Sequence, residues 1–166
     1  MKQIISIYLA FLLDCILGDP YWFPHPVRFI GKYISFFEKQ IRKLKLNNKA
    51  LKICGIVLTI STVTITYIIS YLVLKVAFNI NIKLYYVLNI VMMWTAIAPK
   101  CLSSEGIKIY KELTKGNLEK ARKQLSYIVG RDTENLDEGE ITRAVVETIG
   151  ENTSDGIIAP LMYMFI

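Results

Sequence analysis

Hydrophobic positions along the chain take two forms, unbroken apolar runs and stripes that recur at helical spacing. The longest run, residues 53–78 ("ICGIVLTISTVTITYIISYLVLKVAF"), carries one charge, Lys75, close to its end. It exceeds the roughly 20 residues that cross a bilayer as a helix. A second run, residues 82–99, has Lys83 only at its edge, and the short link "NINIK" between the two predicts a helical hairpin. Residues 4–17 are apolar apart from Asp14, and no small-residue cleavage pattern follows them. A retained first span is expected there rather than a signal peptide. Residues 156–166 open a further apolar segment, too short to span by itself.

The striped segments lie between and after these runs. Gly18, Pro20, Pro24 and Pro26 prevent one helix from running through residues 18–26, because each proline removes a backbone donor and biases its predecessor toward extended geometry. Pro26 suits the first turn of a new helix. From there Ile30, Tyr33, Ile34, Phe37, Ile41 and Leu44 recur at three- and four-residue spacing, with Lys32, Lys39, Arg42, Lys43 and Lys45 between them. This predicts a basic amphipathic helix along the membrane interface, its entry anchored by Trp22 and Phe23. Beyond Pro99, Ser103 or Ser104 is expected to cap one helix, which "TKGN" ends. A second helix is expected over 118–129 with Leu118, Ala121, Leu125 and Ile128 inward, and a third over 138–150 with Ile141, Val145 and Thr148 inward. The turn-rich "GRDTENLDEG" joins them.

The predicted fold is therefore all-α: a polytopic integral membrane protein with an amphipathic interfacial helix and a cytoplasmic helical segment. Residues 1–166 are read as one domain, with spans at about 4–17, 53–78 and 82–99, a cytoplasmic segment at 100–155, and the start of another apolar segment at 156–166. Such a segment is either re-entrant or the start of a span in a longer protein, and the second is the expectation.

Composition agrees: 53% of residues are hydrophobic and mean hydropathy is +0.38, above ordinary soluble usage. Arg28, Lys32, Lys39, Arg42, Lys43, Lys45, Lys49 and Lys52 fill the segment between the first two predicted spans, and more basic residues follow the third. The positive-inside bias makes that side cytoplasmic, in a multi-pass protein of the cell membrane. The net charge of +6 needs no nucleic acid, since basic loops beside spans attract anionic lipid, and stacking platforms along a soluble basic groove are absent. Cys15, Cys54 and Cys101 have the spacing of neither a disulfide framework nor a zinc site.

Polar residues that could carry chemistry gather on the predicted cytoplasmic side: Asp14 with Asp19, His25 and Arg28; Arg131 with Asp132; and Arg143, Glu147, Glu151, Asn152 and Asp155. Arg143, Glu147 and Glu151 stand four apart, so one helical face presents a guanidinium and then two carboxylates. That spacing also suits a solvated face with an exposed ion pair worth about 0.5 kcal/mol. Asn152, Thr153, Ser154 and Asp155 extend the face, and carboxylates with amides at a helix end can hold magnesium through oxygen. The phosphate loop GxxxxGK[ST] and the motifs GxGxxG, HExxH and GxSxG are absent.

"LLDCILGDPYWFPHPVRFIGKYI", then two hydrophobic spans, then "IVGRDTENLDEGEITRAVVETIGENTSDGIIAPLMY" resembles the amino-terminal half of the adenosylcobinamide-phosphate synthase family of cobalamin biosynthesis, called CbiB or CobD. The resemblance implies an integral membrane, amide-forming ligase. It would join the propionate carboxylate of adenosylcobyric acid, a corrinoid, to aminopropanol or its phosphate, using ATP and Mg2+. Family members run to about twice this length and carry a further polar motif of the kind "NTLDS" in the half not represented here, so the short form is expected to lack part of the site. On this resemblance Glu147, Glu151, Asn152 and Asp155 are expected to hold metal and polyphosphate or the ammonium of the amine, with Glu147, Glu151 and Asp155 as the metal carboxylates. Arg131 and Arg143 would bind phosphate or carboxylate, beside Asp132. Asp19, His25 and Arg28 would line the same cytoplasmic pocket, with His25 as a base.

A non-catalytic membrane sensor or scaffold on a related fold, like the AmpE relatives, would keep the spans and lose "RAVVET" and "ENTSDG"; both are present. A transporter would carry charges deep within its spans, whereas here they gather at one face.

Overall fold

The computed structural model describes residues 2–20 and 22–166. Among them the regular structure is helical throughout: α1 (Lys2–Leu17), α2 (Pro26–Lys43), α3 (Asn48–Ile80), α4 (Ile82–Trp94), α5 (Pro99–Thr114), α6 (Leu118–Leu125), α7 (Glu138–Thr153), a π-helical turn (Ser154–Ile158) and α8 (Ala159–Phe165). They group into two compact units, one of residues 1–20 with 90–166 and the other of residues 21–89.

In the 21–89 unit, Pro26 occupies the start of α2, as the sequence predicts, and His25 Nδ1 accepts the Val27 N–H at 3.3 Å to cap it. Asn47 Oδ1 caps α3 in the same way, accepting from Ala50 N–H at 2.9 Å. The turn between α2 and α3 places Lys45 in the left-handed region, at φ 45°. Tyr33 of α2 and Ser61 of α3 share a hydrogen bond of 2.9 Å. The 33-residue α3 and the stretch Ile82–Thr114, interrupted by turn at 95–98, are long and apolar enough to cross a membrane. Along α3 large apolar side chains such as Ile53, Ile60, Val63 and Ile69 stand exposed.

In the other unit, α5, α6 and α7 enclose a core of Ile109, Ala121, Leu125, Ile141 and Ala144, each fully buried. The predicted inward residues Ala121, Leu125 and Ile141 are among them. Helix α6 ends at Leu125 rather than 129, because residues 126–128 turn out of the helix while Ile128 and Val129 still pack against the core. Helix α5 begins at Pro99, ahead of the expected serine caps. Its N-cap, Ala98, has no side chain that can accept a hydrogen bond. The orphan donor in that first turn, Lys100 N–H, is taken instead by Asp14 Oδ2 of α1 at 2.8 Å. Helix α7 opens on a capping box in which Asp137 and Glu140 satisfy each other's backbone N–H groups.

The π turn has a covalent cause. Pro160 has no N–H, so it cannot close the usual bond to the carbonyl of Gly156. That carbonyl accepts from Ala98 N–H instead, at 3.3 Å. The start of α5 thus meets both the Asp14 end of α1 and the Gly156 carbonyl of the π turn.

Candidate functional site

Helix α7 carries the site because its apolar side, Ile141 and Ala144, is fixed in the core, leaving Arg143, Glu147 and Glu151 on the exposed side. The loop before α7 supplies the opposing wall. Arg122 Nε donates to the Leu136 carbonyl at 2.7 Å, and buried Thr133 donates its hydroxyl to the Arg122 carbonyl at 3.1 Å. Asp132 Oδ1 accepts the Glu134 N–H at 3.0 Å, tightening the same turn. These ties present Arg131 to α7.

Glu147 is the centre of the arrangement. Its Oε1 accepts from Arg143 Nε at 2.9 Å and its Oε2 from an Arg131 guanidinium nitrogen at 3.4 Å. A cleft of about 250 Å³ opens beside it, lined by Val129, Gly130, Arg131, Glu147, Glu151 and Asn152 among others. The two arginine side chains are 54% and 81% exposed and that of Glu147 is 47% exposed, so these pairs sit in water and bind weakly. The Asn152 amide donates to the Thr148 carbonyl at 2.9 Å, which leaves its side-chain oxygen available to a ligand.

The structure therefore joins Arg131, Arg143, Glu147, Glu151 and Asn152 at one edge of α7. Asp155 is exposed on the π turn and does not line this cleft. Among the described residues no group of three or more His, Cys, Asp or Glu side chains is placed to hold a metal, so Glu147, Glu151 and Asp155 do not gather as one carboxylate cage. The donor set that is present fits a different arrangement. Glu151 and the Asn152 oxygen can supply the one or two protein ligands that magnesium takes when polyphosphate provides the rest.

Asp19 is half-buried just beyond α1, following Gly18, whose φ of 64° only glycine takes without strain. Lys100 covers that turn: its ammonium donates to the Ile16 carbonyl, and its Cδ lies 3.0 Å from where a Gly18 Cβ would stand. His25 and Arg28 belong to the 21–89 unit, at the start of α2. With Nδ1 of His25 accepting the cap bond, the proton of its neutral ring resides on Nε2. Lys100, Arg122 and Thr133 are positioning residues that the spacing rules pass over. None of the three follows a periodic signal that marks such a role.

The fold and the cleft define a class: an all-helical chain with bilayer-length apolar helices and a compact helical unit bearing an arginine–carboxylate cleft. The chain belongs to the CobD/Cbib protein family, whose model matches residues 7–166. It is 47% identical over 163 residues to the cobalamin biosynthesis protein CobD of Clostridium tetani, covering 98% of this chain and 51% of that protein. It is 46% identical over 159 residues to the protein of the same name from Clostridium acetobutylicum, covering 96% and 50%. The Photorhabdus laumondii protein of that name is 43% identical over the same two shares. The chain thus spans about half the length of the curated relatives it matches. No solved structure matches it.

Proposed function

We propose that this chain is part of a multi-pass membrane ligase of cobalamin biosynthesis, with its α7 cleft on the cytoplasmic side. In the proposed reaction a propionate carboxylate of adenosylcobyric acid is condensed with the amine of aminopropanol or its phosphate. The membrane reading is supported by α3: a helix with apolar side chains exposed all along its length is unstable in water and at home in lipid. The observation that carries the catalytic reading is Glu147 held between Arg131 and Arg143 at the edge of a cleft, within the second stretch that carries the family resemblance.

A carboxylate is a poor electrophile, so it must first be activated. One propionate oxygen attacks the γ-phosphorus of ATP, ADP departs, and an acyl phosphate remains. The neutral amine then attacks the acyl carbon, phosphate leaves with the C–O bond pair, and the nitrogen loses a proton to a base. Arg131 and Arg143 are suited to hold the anionic groups through both steps. Each exposed pair with Glu147 is worth about 0.2–1 kcal/mol, whereas a hydrogen bond to a charged group contributes about 1.5–3 kcal/mol. An incoming phosphate, with more charge and more acceptor oxygens than a carboxylate, can displace Glu147, and the released carboxylate can receive the amine as its ammonium and take its proton. Magnesium, where bound at Glu151 and Asn152, supplies neutralisation of polyphosphate charge. Asp19 in the unit that holds the cleft, and His25 and Arg28 in the 21–89 unit, are each proposed to contact substrate, and Asp132 belongs to the turn that supports Arg131.

The test has two arms. Cobyric acid or magnesium ATP added to the detergent-solubilised chain should raise its unfolding temperature, since a ligand of the folded state stabilises it. In a full-length relative such as the C. tetani protein, Gln at the position matching Glu151 should cut amide formation while folding is kept. No thermal shift with either ligand, together with unchanged turnover of that variant, would favour a sensor or scaffold role.

A further inference from the structure

We infer that the groove between α2 and α3 is a specific seat for an anionic phospholipid, its phosphate held at Arg42 and Lys45 and an acyl chain laid across Leu51 and Leu58. The inference rests on the membrane reading above but concerns a different part of the chain.

The groove has a volume of about 420 Å³, within the range of small-molecule sites. Its apolar floor comes from both helices and their turn, with Ile41, Leu46, Leu51 and Leu58 contributing. One edge carries Glu38, Arg42 and Lys45, a net positive charge. Arg42 shares its guanidinium with Glu38 one turn earlier, while Lys45 has no carboxylate partner among the described residues. Lys45 stands at φ 45°, a conformation usually left to Gly or Asn, in the turn that lines the groove. The wall on α3 is cut away at Gly55, where a Cβ would meet nothing within 4 Å.

An apolar trough with cations at one end matches one kind of molecule, a lipid with a negatively charged headgroup. Free phosphate would have no use for the floor, and a zwitterionic lipid would gain little from the rim. The surrounding Lys39, Lys43, Lys49 and Lys52 add a diffuse attraction to any anionic surface, of roughly fivefold in affinity for each basic group near it. The seat is distinguished by what fills or discharges the groove itself.

Delipidated chain in a neutral detergent would be titrated with phosphatidylglycerol, with phosphatidylcholine of the same chains, and with inorganic phosphate, bound lipid being counted by native mass spectrometry. Phosphatidylglycerol should be retained at least tenfold more tightly than phosphatidylcholine, with inorganic phosphate unable to displace it. The double substitution Arg42→Gln and Lys45→Ser should remove that preference. Lys49→Gln with Lys52→Gln, the same charge change outside the groove, should leave most of it. Gly55→Leu should weaken both lipids by filling the trough, and its gain in helix propensity guards against unfolding. Equal retention of the two lipids, displacement by phosphate, or equal effects of the two charge-removing pairs would overturn the seat. A carbonate wash of native membranes separates the two readings: release of the chain overturns the membrane assignment and the seat together, whereas retention with no lipid preference overturns the seat alone.

Discussion

Asp14 Oδ2 accepts the backbone N–H of Lys100 at 2.8 Å, so a buried carboxylate of α1 caps the first turn of α5. An acceptor is favoured there because the first-turn N–H has no partner within its own helix. Asp14→Ala leaves that donor unsatisfied and should cost about 1–2 kcal/mol. Asp14→Asn keeps an accepting oxygen at the cap and should cost less than Asp14→Ala. Denaturation of both variants in detergent checks the ranking; equal losses would mean that the cap bond contributes nothing beyond packing.

Gly18 lies over the same joint, and two constraints act on it. Its φ is 64°, and an added Cβ would stand 3.0 Å from Lys100 Cδ. Gly116 has a similar φ of 71° with nothing within 4 Å. Alanine at Gly116 should therefore cost only the left-handed penalty, about 1–2 kcal/mol, and alanine at Gly18 should cost more. Asparagine should be well tolerated at Gly116 and poorly at Gly18. A thermal melt of the four variants decides it, and identical losses at the two sites would show that Lys100 simply moves aside.

Where α5 crosses α7, a Cβ on Gly106 would lie 2.7 Å from Ile149 Cδ1. That atom is the far end of a flexible side chain, so Gly106→Ala costs an Ile149 rotamer change of about 0.5–1.5 kcal/mol. It regains about 0.8–1.0 kcal/mol of helix propensity. The net change should be within about 1 kcal/mol. Gly106→Leu cannot be absorbed in this way and should cost about 1–3 kcal/mol. Adding Ile149→Ala should recover part of that loss, giving a coupling measurable in a double-mutant cycle.

How far the sequence alone reached depends on the range of the interaction. Apolar runs and stripes are local signals, so α2, α3 and the inward faces of α6 and α7 were legible from Pro26, the 53–78 run, Leu125 and Ile141. The start of α5 was not. Serines at 103 and 104 look like caps, but the cap comes from Asp14, 86 residues away in sequence. The grouping of Arg143, Glu147 and Glu151 follows from the helical repeat, whereas the second grip on Glu147 by Arg131 depends on a loop folding back over 16 residues. Asp155 was expected to continue the α7 face, yet Pro160 forces a π turn at Ser154–Ile158 and breaks that register. A proline's effect on the preceding turn is local chemistry, and it was the signal that could have warned of this.

Removing the residues that grip Glu147 separates a site from a merely charged surface. If Arg131 and Arg143 only decorate a solvated face, removing either changes little, because exposed pairs contribute about 0.2–1 kcal/mol. If they bind substrate anions, the same removal leaves stability nearly intact and weakens ligand binding by the value of a charge-assisted hydrogen bond, about 1.5–3 kcal/mol or roughly 10- to 150-fold. Arg143→Ala and Arg131→Ala should therefore unfold within about 1 kcal/mol of the parent while losing most of the stabilisation given by magnesium ATP or cobyric acid. Lysine at either position should restore charge without the two-pronged geometry and recover only part of the binding. Glu147→Gln frees both arginines and removes a competing anion, so anion binding should be kept or strengthened while amide formation in a full-length relative falls. Weaker binding of both ligands by the Glu147→Gln variant would place Glu147 among the anion-positioning groups and remove it as the receiver of the amine's proton.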